Sequence, residues 1–205
     1  MPEAYPNRIP QVFRKIRGSP ALQDFMRILR WIGHYLVNTY MSRLRRIELH
    51  SRYFFVTCNI ARNTPPFTGR EFALLARSIV DIRKRLHFAV CGYCFMPDHW
   101  HAVLYPFETT SISDVLMRIK IASHHHIAIL RPGSGAIWQH RFYDRVLRNR
   151  AEFEDAIGYM HRNPVRGGLV EREEDWPWSS ARCAEGAGVI VLDDVRVPLD
   201  RAAKL

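Results

Sequence analysis

A chain of 205 residues that is 47% hydrophobic holds enough apolar material for one sizeable core and an appended arm. Its 30 Lys and Arg against 20 Asp and Glu leave a formal charge of +10, a field that attracts polyanions such as nucleic acid or an anionic membrane surface. Four unevenly placed cysteines and the lack of a signal-peptide layout argue against a disulfide-stapled secreted domain, and the most apolar stretch, Leu29 to Met41, is interrupted by His34 and Asn38 and is shorter than the ~20 residues of a membrane span. A reduced, cytoplasmic protein with no membrane partner is expected.

Residues 1 to about 19 are rich in proline and arginine without a sustained period, and 20–45 show helical spacing. Residues 1–45 therefore read as a basic, partly helical N-terminal extension. Tyr53 to Ile60 is aromatic and β-branched and predicts a first strand, after which "NTPPFTG" is turn-rich. A helix follows from about Arg70 to Leu86, with Phe72, Leu75, Ile79 and Ile82 at helical spacing. "FAVCGYCFM" and "HWHAVLYP" predict two strands joined by a tight "PD" turn as a hairpin.

"SISDVLMRIKIASHHHIAIL" predicts a second helix, with Ser111 or Ser113 as N-cap and Ile112, Val115, Leu116 and Ile119 on one face. "RPGSG" breaks it, and "AIWQHRFYDRVL" is strand or extended. "NRAEFEDAIGYMHRNP" predicts a third helix that ends near Asn163, because Pro164 disfavours helical geometry in the residue before it. The order βαββα, then strand and helix, predicts an α+β fold over residues 46–183: a ferredoxin-like split βαβ sandwich with an antiparallel sheet. Residues 184–205 carry no clear pattern and read as a C-terminal tail.

His99 and His101 lie two apart on a predicted strand, so they point the same way while Trp100 points to the other face. That pairing offers two imidazoles to one metal ion or one phosphate, or is hydrogen-bonded at a sheet edge. On the third helix Phe153, Ala156, Ile157 and Met160 form the core stripe, whereas Tyr159 and Asn163, four apart, share a flank. A neutral phenol is a weak nucleophile, so it needs a metal or a base nearby, and a His, His, Asn set leaves open positions for phosphate oxygens.

Competing signals are weaker. His124, His125 and His126 are consecutive on a helix, about 100° apart, and cannot all converge on one ion. Cys91 and Cys94 lack a second cysteine pair and read as core residues. Arg118, Lys120, Arg141, Arg145, Arg148 and Arg150, interleaved with Trp138, Phe142 and Tyr143, form the basic and aromatic mixture that single strands use for backbone attraction and base stacking. Tyr143, flanked by arginines, is the rival nucleophile, and "DWPWSS" reads either as packing Trp176 and Trp178 against the domain or as a hairpin contact.

"FMPDHWHAVLYP", "IWQHRFYDRVLRNRAEFEDAIGYMHRNPVRGGLV" and "DWPWSSAR" together resemble the REP-associated tyrosine transposases, single-tyrosine enzymes with a His-hydrophobic-His motif. The resemblance runs from about Arg46 to Arg182. It implies that His99, His101 and Asn163 hold a divalent ion, usually Mg²⁺ or Mn²⁺, and that Tyr159 is the nucleophile that becomes linked to DNA. The expected substrate is single-stranded hairpin DNA of the repetitive extragenic palindrome (REP) type, cut and rejoined by a monomer or homodimer through a 5′-phosphotyrosine. Two other readings remain: a host-retained protein that holds hairpins without cutting, and a metal-dependent phosphoesterase in which water attacks. The "SHHH" run and the long basic arm depart from the family pattern.

Overall fold

The computed structural model describes residues 51–195, so the N-terminal extension lies outside the described residues. Among these residues four strands and three α-helices follow one another: β1 (Tyr53–Asn59), α1 (Gly69–Arg85), β2 (Phe88–Phe95), β3 (His99–Pro106), α2 (Ile112–Leu130), β4 (Tyr143–Leu147) and α3 (Arg150–Arg166). The strands form one sheet in the order β2-β3-β1-β4, with every neighbouring pair antiparallel. This is the predicted α+β sandwich.

Both sheet faces are covered, and that explains why β1 and β3 read as apolar runs rather than clean alternations. On one face Phe72, Leu75, Ile79 and Ile82 of α1 and Val115, Leu116 and Ile119 of α2 join Phe54, Val56, Trp100, Ala102 and Leu104 in the main core. On the other face lies α3, where the Phe153 ring meets Tyr53 edge-on with centroids 5.3 Å apart. Of the two N-cap candidates, Ser111 caps α2: its Oγ accepts from Asp114 N at 3.0 Å.

Helix α3 seats on Gly92 of β2, where an added Cβ would fall inside van der Waals contact of Met160 Cε and Ile157 Cδ1. A register shift between Val90 and Gly92 turns this glycine toward the helix. A Gly92→Val substitution should therefore overpack the α3 seat and cost about 2 kcal/mol. The expected readout is a drop of roughly 6 °C in the thermal unfolding midpoint.

The third helix does not stop at Asn163. It continues through Pro164 to Arg166. A proline this close to the end removes only one backbone donor, and the chain then closes on hydrogen bonds that do not need it. Gly168, at φ +66°, donates from its N to Val165 O at 3.0 Å, and Leu169 N donates to Pro164 O at 2.9 Å. These two bonds make a Schellman end, for which a left-handed glycine is favoured.

Of the predicted extended segment, only Tyr143–Leu147 enters the sheet, while Ile137 and Trp138 turn into the core and Trp138 bridges to Ile60. Trp176 Nε1 donates to Phe95 O at 2.8 Å and Trp178 packs on Phe72, so "DWPW" braces the domain. Past residue 184, Ile190 is 1% exposed and joins the core, and Asp193 bonds both N and O of Val90 at the free edge of β2.

Candidate active site

Strand alternation places His99 and His101 on the α3 side of the sheet, away from Trp100 in the main core. Each ring is held through Nδ1. His99 Nδ1 lies 2.6 Å from Asp98 Oδ1, and His101 Nδ1 lies 2.8 Å from Thr57 Oγ1, its cross-strand partner. A carboxylate can only accept, so His99 Nδ1 carries the proton and, in the neutral ring, Nε2 keeps its lone pair. The two Nε2 atoms face each other at 3.0 Å.

His101 is 3% exposed. Burial, and then the nearby charge of His99, push its pKa well below the ordinary imidazole value, so it is neutral at neutral pH. The hydrogen bond to His99 holds the Asp98 carboxyl below its usual range.

Helix α3 brings Tyr159 to this pair. The phenol ring meets His101 with centroids 5.5 Å apart and Phe55 at 6.0 Å, both edge-on, while Phe55 stacks on His101 at 5.2 Å. One turn further on, Asn163 has its amide Nδ2 buried without a hydrogen-bond partner. Two turns on, the Arg166 guanidinium lies 5.7 Å from the centre of the Tyr159 ring. Positions 159, 163 and 166 share one helical flank. Gly167 abuts the Met96 side chain, which sets the end of α3 against the turn that carries His99.

The predicted nucleic-acid residues separate. Arg145 pairs with Phe55 across the strands and so shares its sheet face with Tyr159 and His101; its Nε is buried and unpartnered. Tyr143 stands on the same face, opposite Thr57. Arg141 and Arg148 are exposed around β4, and Arg150 pairs with Glu154 one turn on. Arg118 is exposed on α2, the layer across the sheet from Tyr159.

Two of those expectations need correction. The Lys120 ammonium donates to the backbone carbonyls of Gln139 and His140, and burial lowers its pKa, so it braces a loop. Trp138 is a core residue whose Nε1 donates to Ser123 Oγ at 2.9 Å, so its ring is not open to a base. Their places in the sequence carried charge and aromaticity but no sign of burial.

The histidine run on α2 disperses as its helical spacing requires. His126 Nδ1 lies 3.2 Å from Ser78 Oγ, whereas His124 Nδ1 accepts from Ile137 N at 3.4 Å. Sequence reasoning missed Thr57, Asp98, Phe55 and Arg166. Asp98 adjoins His99 and Arg166 continues the Tyr159 flank, so both were readable; Thr57 and Phe55 enter only through strand register. Among the described residues no group of three or more His, Cys, Asp or Glu forms a metal cluster, and no helix is long and apolar enough to cross a membrane.

The chain is 24% identical over 154 residues to a REP-associated tyrosine transposase of Escherichia coli (strain K12), covering 75% of this chain and 90% of that relative. It is 27% identical over 152 residues to a putative REP-associated tyrosine transposase of Haemophilus influenzae, covering 68% and 85%. Its fold matches the solved structure of a REP-associated tyrosine transposase bound to a REP hairpin with a TM-score of 0.62 at 24% identity, over 75% of this chain and 93% of that one. Residues 48–162, which include both histidines and Tyr159, match the family described as "Transposase IS200 like", and the chain belongs to that transposase family.

Proposed function

We propose that this protein is a DNA strand transferase that binds single-stranded REP-type hairpins and cuts and rejoins them through Tyr159. The observation that carries the reading is the facing pair of histidine Nε2 atoms, 3.0 Å apart, with the Tyr159 ring against one of them. The family match and the hairpin bound by a structural relative point the same way.

A divalent ion fits the donor set. Neighbouring ligands on one ion, bound at ~2.1 Å and at right angles, stand ~3.0 Å apart, which is the separation of the two Nε2 atoms. The buried amide of Asn163 lacks a partner, and turning it over would present Oδ1, a hard oxygen suited to Mg²⁺ or Mn²⁺. His99, His101 and Asn163 would hold the ion, which when bound supplies Lewis-acid polarisation of a phosphate oxygen and offsets charge on the leaving oxygen.

Tyr159 Oη forms the new bond to phosphorus as the bond to the 3′-oxygen breaks. The phenolic proton leaves to solvent or a base, and the departing 3′-oxygen takes up a proton. The product is a 5′-phosphotyrosine ester and a free 3′-hydroxyl, so the same step run backwards rejoins a strand without ATP. Thr57 and Asp98 hold the two imidazoles by Nδ1, with their Nε2 atoms turned toward one another.

The test is to incubate the protein with end-labelled single-stranded hairpins and Mg²⁺ or Mn²⁺, and to look for an adduct that survives denaturant. Cleavage without an adduct would favour the phosphoesterase reading, and tight binding without cleavage the hairpin-holding one. A related prediction concerns Thr57. Thr57→Val keeps the shape but leaves His101 Nδ1 without its partner, so the metal concentration for half-maximal adduct formation should rise roughly 10- to 100-fold. A metal titration of adduct yield, with circular dichroism to verify folding, measures it.

A further inference from the structure

We propose that Arg166 and Arg145 together seat the phosphodiester that Tyr159 attacks, a role that rests on the functional reading above and assigns two specific phosphate-binding side chains to it. Arg166 comes from the last turn of α3, exposed, with its guanidinium 5.7 Å from the centre of the Tyr159 ring. Among the described residues it pairs with no carboxylate. Of the acidic groups that follow it in sequence, Glu174 and Asp175 pair with Arg172 at 3.8 Å and 3.4 Å, while Glu171 and Glu173 line the same cleft as Arg166 without forming an ion pair to it.

Arg145 comes from β4 on the sheet side of the same site. Its cross-strand partner Phe55 is in edge contact with Tyr159, and its neighbour Asp144 falls on the opposite face of the strand. The buried Nε has no hydrogen-bond partner. A desolvated guanidinium N–H left unpaired costs free energy, and an anionic oxygen placed there removes that cost. A planar guanidinium also matches two phosphate oxygens at once, which a lysine ammonium cannot do.

The two arginines thus come to the Tyr159 side of the sheet from different layers, Arg166 over its ring and Arg145 across the strands from the phenylalanine that meets it edge-on. A phosphate held between them would be fixed where Tyr159 can reach it. The benefit would appear in the bond-making step more than in overall affinity, because the remaining basic surface supplies the non-specific attraction.

Single-turnover adduct formation at saturating hairpin DNA, alongside hairpin affinity measured by fluorescence anisotropy, tests this for Arg166→Ala, Arg166→Lys, Arg145→Ala and Arg145→Lys. Arg77→Ala, exposed on α1 across the sheet, is the control. The expected result is a rate lowered roughly 100-fold in each alanine variant, affinity changed far less, partial recovery in the lysine variants, and an unchanged control. Alanine variants that fold and react at saturation within about twofold of the unaltered chain would overturn the inference alone. Absence of an adduct with the unaltered chain would overturn the functional reading, and this inference with it.

Discussion

Replacing Tyr159 with phenylalanine is expected to abolish the covalent protein–DNA adduct and to lower single-turnover hairpin cleavage by about 10³-fold or more, with hairpin binding retained. The argument rests on what the ring already does. Its edge contacts with His101 and Phe55 use the aromatic body, which phenylalanine keeps, so the α3 side of the sheet stays packed. Only the hydroxyl goes, and with it the atom that would bond phosphorus. A denaturing gel of labelled hairpin, beside an anisotropy titration, separates chemistry from binding. Cleavage that persisted in Tyr159→Phe with an adduct would move the nucleophile to Tyr143, which stands opposite Thr57 on the same sheet face, and cleavage that persisted without one would point to water.

Breaking the ion pair of Glu71 and Arg131 should destabilise the fold by about 3 kcal/mol, or roughly 9 °C in the unfolding midpoint. Arg131 Nε donates to Glu71 Oε1 at 2.8 Å, with the two side chains 13% and 7% exposed. The same guanidinium donates to Pro65 O and Pro66 O and lies over the Phe67 ring. Glu71 also accepts from Thr68 N at 2.9 Å, closing the capping box of α1. Arg131→Met leaves a buried carboxylate uncompensated, so thermal melts at neutral pH should show the full loss.

The pair also dictates an acid response. Burial by itself would raise the Glu71 pKa, but hydrogen bonds from Thr68 and Arg131 outweigh it and hold the folded-state value below the ordinary one of 4.5. Stability from this group is therefore complete above the unfolded carboxyl pKa and is lost as pH falls through the lower, folded-state value. Between about pH 5 and pH 3, the unaltered chain should lose more of its unfolding midpoint than Glu71→Gln does.

Much of this architecture was legible where local chemistry and tertiary packing agree. Strand β3 occupies His99–Pro106 because its residues suit a pleat buried on both faces, and its two-residue alternation alone set both histidines on one side. Ser111 caps α2 because a serine before an apolar helical period satisfies an orphan donor. The departures occur where a distant contact outweighs a local preference. Pro164 is a breaker in isolation, yet Gly168 and Leu169 close the helix beyond it. Trp138 and Lys120 look like nucleic-acid contacts by composition and are taken up by Ser123 and by two carbonyls that no local pattern indicates. Thr57 became the partner of His101 only through pairing across 44 residues.

Strand β3 performs two tasks with alternate side chains, since Trp100, Ala102 and Leu104 fill the main core while His99 and His101 furnish the site. A single codon gained or lost between His99 and His101 would put the two imidazoles on opposite faces of the sheet, one of them beneath α1 and α2. Replacement within β3 leaves the two inventories on their own faces, and a change of length in the connections at 107–111 or 131–136 moves neither histidine. The two-residue spacing keeps the imidazoles together, and the indole between them fills the opposite layer.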